Sequence, residues 1–244
     1  MSDGPATTQA QDSGWPAAPG SERARQSTWT DEVLREQVAA VLALAAQDPS
    51  GIVPIVQAGH PALRMRAVPL TGQLDPDTLA ELIAVMRRTM HAAPGVGLAA
   101  PQIGLPIALA VIADPGAGDP EVAAVRERPE LPFRVLVNPR YEPVPGEDVV
   151  AVSFYEGCLS VDGYQAVVPR LRRLRLICAD EHGNAVDEIV QGWPARIVQH
   201  ETDHLAGVLY LDRALTRSLS TVEEFGGHWA GAPHPDEAAR ILGF

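Results

Sequence analysis

The sequence predicts an α+β fold with antiparallel sheets, and two observations support it. Short apolar and β-branched runs, bounded by Gly, Pro, Asp and Asn, fill the middle of the chain. Helical periodicity is confined to isolated segments, so the regular strand–helix alternation of a doubly wound parallel sheet is not found. The 244 residues are enough to bury a substantial core.

The chain is expected to divide into four parts. Residues 1–28 are rich in Ala, Gly, Ser, Pro and Gln, which predicts a disordered tail. Residues 29–50 predict a helical extension, with Thr30 as its N-cap and apolar residues at helical spacing. The main domain is expected at residues 51–215, followed by a C-terminal extension at residues 216–244 that contains a short terminal helix.

Several elements are predicted within the main domain. A helix should begin at Asp75 and Pro76, because Asp is a good N-cap and Pro suits the first helical position. The Pro- and Gly-rich residues 114–132 predict a surface loop. In chain order, the predicted strands are residues 52–56, 107–112, 134–137, 149–154, 167–168, 174–178 and 186–190.

Composition argues against several classes of protein. The formal net charge is −12 with only 19 Lys and Arg residues, which does not suit a broad electrostatic grip on nucleic acid or anionic lipid. The two cysteines, Cys158 and Cys178, do not make a disulfide-rich framework, and Cys178 lies in an apolar run typical of a buried position. We expect no signal peptide and no membrane span, and therefore a cytoplasmic protein without membrane or nucleic-acid partners.

Two histidines four residues apart, His200 and His204, predict a metal site. At this spacing both side chains lie on one face of a helix and can bind one ion, with Glu201 beside them to move a proton. Pro194 suits the first turn of that helix, and Gly207 follows it where a left-handed cap is common.

The third ligand is left open by this reasoning. A catalytic metal of this type usually has three protein ligands and one open position. A third histidine six residues after His204 is excluded, because that position is Tyr210. A downstream carboxylate, Glu223 or Glu224, would give a metallopeptidase, whereas Cys158 would supply a thiolate suited to borderline or soft metals. A non-catalytic, zinc-stabilised binding module is a further alternative.

A glycine-rich stretch precedes the predicted strand at residues 107–112. Gly95, Gly97 and Ala100 match a dinucleotide-binding fingerprint, but a helix precedes them and Pro101 blocks continuation into a second helix. We interpret the stretch as backbone opened by glycine so that a ligand can approach closely, with Gln102 supplying an amide.

Taken together, three segments resemble one family, the peptide deformylases. The patterns Gly-x-Gly-x-Ala-Ala-x-Gln, Glu-Gly-Cys-x-Ser and His-Glu-x-Asp-His occur in order at residues 95–102, 156–160 and 200–204. The similarity runs over residues 52–212. The resemblance implies a catalytic domain of antiparallel sheets packed around a central helix that carries the His-Glu-x-x-His motif. It also implies a metal-dependent hydrolase that removes the formyl group from N-formylmethionyl nascent peptides and releases formate.

The resemblance further implies roles for particular residues. The metal ligands would be Cys158, His200 and His204. The metal would be Fe²⁺, with Zn²⁺ or Ni²⁺ able to occupy the site in the isolated protein. Glu201 would be the general base, and the side-chain amide of Gln102 and the backbone N–H of Leu159 would stabilise the oxyanion.

Further expectations concern the surroundings of this site. The candidates for the methionine pocket are Val96, Gly97, Phe154, Trp193 and Ile197. Arg196 stands one turn before His200, where many bacterial members carry an aliphatic residue, which leaves the shape of the pocket open. Arg170 is expected to pair with Glu156 or Asp203 and to hold the ligand loop against the helix. The ribosome is expected as a transient partner.

Overall fold

The computed structural model describes residues 30–244, so the predicted disordered tail at residues 1–28 lies outside the described residues. The described part of the chain is α+β with two antiparallel sheets, which confirms the predicted fold class. The helices are α1 (Asp31–Gln47), α2 (Pro76–Ala92), α3 (Pro120–Val125), α4 (Gly192–Leu205), α5 (Val222–His228) and α6 (Asp236–Leu242). The strands are β1 (Gly97–Ala99), β2 (Leu109–Asp114), β3 (Leu131–Glu142), β4 (Ala151–Cys158), β5 (Val161–Leu171), β6 (Arg173–Ala179), β7 (Ala185–Gln191) and β8 (Ser220–Thr221).

Helix α4 lies between the two sheets. The first sheet has the order β1-β2-β3-β6-β7 and the second has the order β4-β5-β8. Helix α4 packs against strands of both sheets. The amide of Gln199 on this helix accepts a hydrogen bond from the backbone N–H of Leu171 and donates one to its carbonyl oxygen, both at 2.9 Å. The helix is therefore tied to β5 as well as packed on the first sheet.

Glycines mark both ends of α4. The helix begins at Gly192, whose φ is +68°, and it ends before Gly207, whose φ is +75°. A Cβ atom at Gly207 would lie 2.8 Å from the carbonyl oxygen of Arg64, so space as well as the backbone angle excludes other residues there. Nearly every residue of α4 is buried, which means that its polar side chains need partners inside the protein.

The two N-terminal helices cover the other face of the first sheet. Thr30 caps α1 by accepting a hydrogen bond from Val33 N, and Asp75 caps α2 by accepting one from Thr78 N. Both caps are as predicted. The core between these helices and the sheet includes Leu34, Val38, Leu82, Met86, Leu98, Leu109 and Val111. None of the described helices is long and apolar enough to cross a membrane.

The predicted strand at residues 52–56 is wrong. This segment belongs to no strand, and its backbone groups bond outside any sheet: Val53 N donates to Thr89 Oγ1 at 3.2 Å and Val56 N donates to the carbonyl oxygen of Gln102 at 2.8 Å. Val53 and Ile55 pack into the core shared by α2 and the first sheet, whereas Val56 packs against a separate cluster that includes Val161 and Val168 of β5. An apolar run of this length indicates burial, and only the neighbouring segments decide whether a ladder forms.

The predicted loop at residues 114–132 contains a helix, α3, and its last residues begin β3. Asp119 accepts hydrogen bonds from Glu121 N and Val122 N, and Pro120 takes the first helical position. The terminal helix predicted in the C-terminal extension is confirmed as α6, whereas β8 and α5 were not predicted. The division of the chain at residues 50 and 215 stays a prediction.

Candidate active site

Three potential metal ligands converge from two elements. Cys158 ends β4, and His200 and His204 lie one turn apart on α4. One ligand atom from each residue lies within 4.8 Å of the others, and Cys158 Sγ is 3.3 Å from His204 Nε2. The register of β4 and β5 shifts between Gly157 and Cys158, which re-aims the cysteine at the end of the strand. One thiolate and two imidazoles are a fitting donor set for a catalytic metal site with an open position.

The orientation of His200 is set by Glu156. Its Nδ1 lies 3.0 Å from Glu156 Oε2, which leaves Nε2 as the nitrogen available to a metal. Burial opposes ionisation of Glu156, but Arg170, His200 and Arg196 outweigh that effect and hold the pKa of its carboxyl well below the usual value. Glu156 is therefore an ionised group that fixes the orientation of the His200 ring.

Glu201 is buried at the glycine-rich segment. Its Oε2 atom has no hydrogen-bond partner among the described residues. A Cβ atom at Gly97 would lie 2.2 Å from Glu201 Oε1, so only glycine leaves room for this carboxylate. Burial raises the pKa of Glu201 to about 7. A carboxylate with a pKa near neutrality and an unused acceptor is suited to proton transfer.

Gln102 lies in a 3₁₀ turn at Ala100–Ile103 and is buried. Its Oε1 atom accepts a hydrogen bond from Ala99 N at 2.8 Å. Its Nε2 atom donates to Ser160 Oγ at 3.3 Å and lies 3.7 Å from Cys158 Sγ. The backbone contact therefore fixes the orientation of the amide, with its N–H side toward the cysteine.

A cleft of about 820 Å³ is lined by Gln102, Cys158, His200 and Glu201, and by most of the predicted pocket residues. Val96, Gly97, Trp193 and Ile197 line it, together with Leu159. Phe154 is not brought to this cleft. It lines an adjoining cavity of about 70 Å³ and packs edge-on against Trp193, with ring centroids 5.9 Å apart. Alternation along β4 explains the difference, because the next residue, Tyr155, lines the main cleft.

The position left open by the sequence, Arg196, forms part of the wall between the two cavities. Its Nη1 atom donates to Glu156 Oε1 at 2.6 Å and to the carbonyl oxygen of Val168 at 2.8 Å, and Nη2 donates to the carbonyl oxygen of Val152 at 2.6 Å. Its guanidinium also lies 5.5 Å from the ring centroid of Trp193. Arg196 therefore ties α4 to both long strands of the second sheet.

The expected pairing of Arg170 is confirmed, and it involves both candidate partners. Arg170 donates to Glu156 through Nε at 3.0 Å and Nη2 at 2.9 Å, and it pairs with Asp203 through Nη1. Asp203 is also bound by Arg213, at 2.7 and 2.9 Å, and by the hydroxyl of Tyr141 at 3.0 Å. Arg213 and Tyr141 were missed because they come from distant parts of the chain with no motif around them.

The alternative ligands lie apart from this cluster. Glu224 is exposed on α5 and pairs with His228, and the described residues that could hold a metal do not include it. Cys178 is a free, buried residue on β6, and burial raises its pKa to about 11, in agreement with the expected role of a small hydrophobe. Two cleft residues that sequence reasoning missed, Val222 and Phe225, belong to α5.

Comparison with known proteins gives one consistent answer. The family model described as polypeptide deformylase matches residues 52–219. Peptide deformylase 3 of Streptomyces avermitilis is 60% identical over 194 residues, which are 80% of this chain and 85% of the relative. Peptide deformylase 1 of Streptomyces coelicolor is 52% identical over 211 residues, covering 86% of this chain and 93% of the relative.

Solved structures agree with the sequence comparisons. The Met-Ala-Ser-bound class I type b peptide deformylase of Acinetobacter baumannii is 32% identical, with a TM-score of 0.59 over 66% of this chain and 98% of that one. The peptide deformylase of Thermotoga maritima is 33% identical, with a TM-score of 0.55 over 67% of this chain and 97% of that one. The chain therefore belongs to the polypeptide deformylase family, and it is a metal-dependent hydrolase that removes the formyl group from nascent peptides.

Proposed function

We propose that Cys158, His200 and His204 bind the catalytic metal and that Glu201 is the general base of the reaction. The observation that carries this proposal is the convergence of one thiolate and two imidazoles within 4.8 Å, beside a buried carboxylate. When bound, the metal acts as a Lewis acid that lowers the pKa of a water molecule and polarises the formyl carbonyl. The proposed metal is Fe²⁺, and Zn²⁺ or Ni²⁺ suits the same donors in the isolated protein.

Glu201 moves the proton in this scheme. Its unpartnered Oε2 atom accepts the proton of the attacking water and then returns it to the amine that leaves the formyl carbon. Burial disfavours the charged form of Glu201 and raises its pKa, which suits a group that accepts a proton and returns it. The products are formate and a peptide with a free amino terminus.

Gln102 and Leu159 stabilise the negative charge that develops on the formyl oxygen. The Gln102 amide is held by Ala99 N so that its Nε2 atom lies between Ser160 Oγ and Cys158 Sγ, at the edge of the cleft. The backbone N–H of Leu159, the residue after Cys158, is the second proposed donor. Loss of one such donor typically lowers the rate by ~10²–10³-fold.

The methionine side chain of the substrate occupies the inner part of the cleft, against Val96, Trp193 and Ile197. Gly97 leaves room for the Glu201 carboxylate beside the substrate, because a Cβ atom there would clash with it. Phe154 contributes from the second layer by packing on Trp193. The related A. baumannii enzyme crystallised with Met-Ala-Ser supports a peptide with N-terminal methionine as the ligand class.

Formate release from formyl-Met-Ala-Ser, measured under anaerobic conditions with metal content determined on the same sample, tests the proposal. Cys158→Ser is expected to lose both metal and activity. Glu201→Gln is expected to keep the fold and the metal but to lose turnover. Glu224→Ala is the matched control and should change neither, since Glu224 is an exposed carboxylate on α5.

Other outcomes of this experiment favour the alternatives. Metal loss in Glu224→Ala, with metal retained in Cys158→Ser, would indicate a metallopeptidase-type ligand set. Full turnover in Glu201→Gln would reject a catalytic role for this carboxylate and favour a metal-stabilised binding module.

The proposed setting follows from the substrate. Formylmethionine is exposed as a nascent chain leaves the ribosome, so we place the enzyme in the cytoplasm in transient contact with ribosomes. The catalytic domain is proposed to span residues 51–215, with helical extensions on both sides.

A further inference from the structure

The C-terminal extension, residues 216–244, supplies part of the wall of the active cleft. Val222 and Phe225 lie three residues apart on α5, and both line the cleft that contains Cys158. The match to the family model ends at residue 219, so this wall comes from a segment outside the region that defines the family.

The position of this wall is set by regular structure. Strand β8 pairs with β5, with Thr221 opposite Tyr164 and Ser220 opposite Gln165. The Thr221 hydroxyl then caps α5 by accepting a hydrogen bond from Glu224 N at 3.1 Å. Helix α5 is therefore attached directly to the sheet that carries Cys158.

Packing holds the same helix against the strand of the metal ligand. The ring of Phe225 lies with its centroid 4.8 Å from that of Tyr155 on β4, three residues before Cys158. A small core of Tyr155, Val167 and Ala238, with Trp229 and Leu242 against it, lies beneath this contact. The extension is thus anchored on one side and free to contact a ligand on the other.

Burial separates an inner and an outer part of the cleft. Trp193 and Ile197 are 9% and 3% exposed, whereas Tyr164 and Val222 are 47% and 50% exposed. Exposed apolar side chains that line the same cleft favour an interaction surface at its mouth. A peptide with its first residue in the inner part must run outward, because the rest of the chain continues into solvent.

We propose that Tyr164, Val222 and Phe225 form an outer subsite that binds apolar side chains following the formylmethionine. The assignment rests on the proposed function only in that the inner part holds the formylmethionine. The subsite makes the enzyme favour peptides with apolar residues at the second and third positions. These side chains are removed from water when they pack on Tyr164, Val222 and Phe225, which stabilises the complex.

The test compares formyl-Met-Leu-Leu with formyl-Met-Ser-Ser as substrates of the metal-loaded, full-length enzyme. The wild type is expected to show a kcat/KM about tenfold higher for the Leu peptide, equivalent to about 1.4 kcal/mol, with the difference mainly in KM. Val222→Ser and Phe225→Ala are each expected to reduce this preference several-fold, with the larger loss on the Leu peptide. Ile241→Ala, which removes an exposed apolar side chain of α6 outside the cleft lining, should keep the preference.

Binding of unformylated Met-Leu-Leu and Met-Ser-Ser by calorimetry, in parallel, separates this proposal from the reaction itself. If neither formylated peptide releases formate, the proposed function fails, and the difference in affinity between the two products still decides on the subsite. Phe225→Ala also removes packing on Tyr155 and can therefore fold poorly. In that case the Val222→Ser variant decides the test, because Val222 is exposed and its replacement does not disturb the core. An unchanged preference in Val222→Ser, or an equal loss on both peptides, overturns the proposal.

Discussion

Two groups of ion pairs in this protein have similar geometry but different surroundings. Behind the proposed metal site, Arg170 donates to Glu156 at 2.9 and 3.0 Å, and its side chain is 1% exposed. On the hairpin of β6 and β7, Arg175 donates to Asp187 at 2.6 and 2.7 Å, and its side chain is 35% exposed. Distance alone would rank the hairpin pair as at least as strong.

The difference teaches that the burial of an ion pair, not its donor–acceptor distance, decides how much the pair contributes to the structure. A buried charge has lost its hydration, so loss of its partner leaves it uncompensated. In the exposed pair, water replaces the partner at little cost. The buried group links β4, β5 and α4 through Glu156, Arg170 and Asp203, and Glu156 also orients His200. We therefore assign it the role of positioning the proposed metal ligands.

Arg170→Met breaks the buried group and should have the largest effect. It leaves Glu156 and Asp203 buried with fewer compensating charges, and we expect the free energy of unfolding to fall by about 3–5 kcal/mol. We also expect metal to be lost more readily, because Glu156 is then fixed only by Arg196 and holds His200 less firmly. Urea denaturation of the metal-loaded protein and metal content after dialysis measure both. A loss below about 1 kcal/mol with full metal retention would contradict the positioning role.

Arg196→Leu sharpens the comparison, since it removes a second buried cation but leaves Glu156 paired with Arg170. The carbonyl oxygens of Val152 and Val168 lose a donor, and we expect a loss of about 1–3 kcal/mol. Metal content should stay at the wild-type level. The same denaturation series measures this, and a loss as large as that of Arg170→Met would show that the buried cations are equivalent.

Arg175→Ala is the matched change on the surface and should have the smallest effect. We expect no measurable shift in the urea midpoint, because solvent screens this pair and added salt weakens it further. A shift comparable to that of Arg196→Leu would mean that the exposed pair does stabilise the fold. The distinction between the two regions would then fail.

The sequence predicted well what depends on neighbours along the chain. The caps at Thr30 and Asp75 and the glycine after α4 are found where local rules place them. The predicted strand at residues 52–56 failed, and α3 and α5 were missed, because ladders and short helices depend on what packs beside them. Arg170 was expected to pair with one of two carboxylates, and the fold supplies both.

By itself, the sequence determined which chemistry is available: the spacing of His200 and His204 places both imidazoles on one helix face wherever that helix lies. The tertiary structure alone decided what meets them. It brought Cys158, 42 residues before His200 in the numbering, next to the two imidazoles. It also directed the Phe154 side chain toward a neighbouring cavity. The physical reason is that helical periodicity is a property of a few consecutive residues, whereas the meeting of β4 with α4 depends on how whole sheets bury their apolar faces.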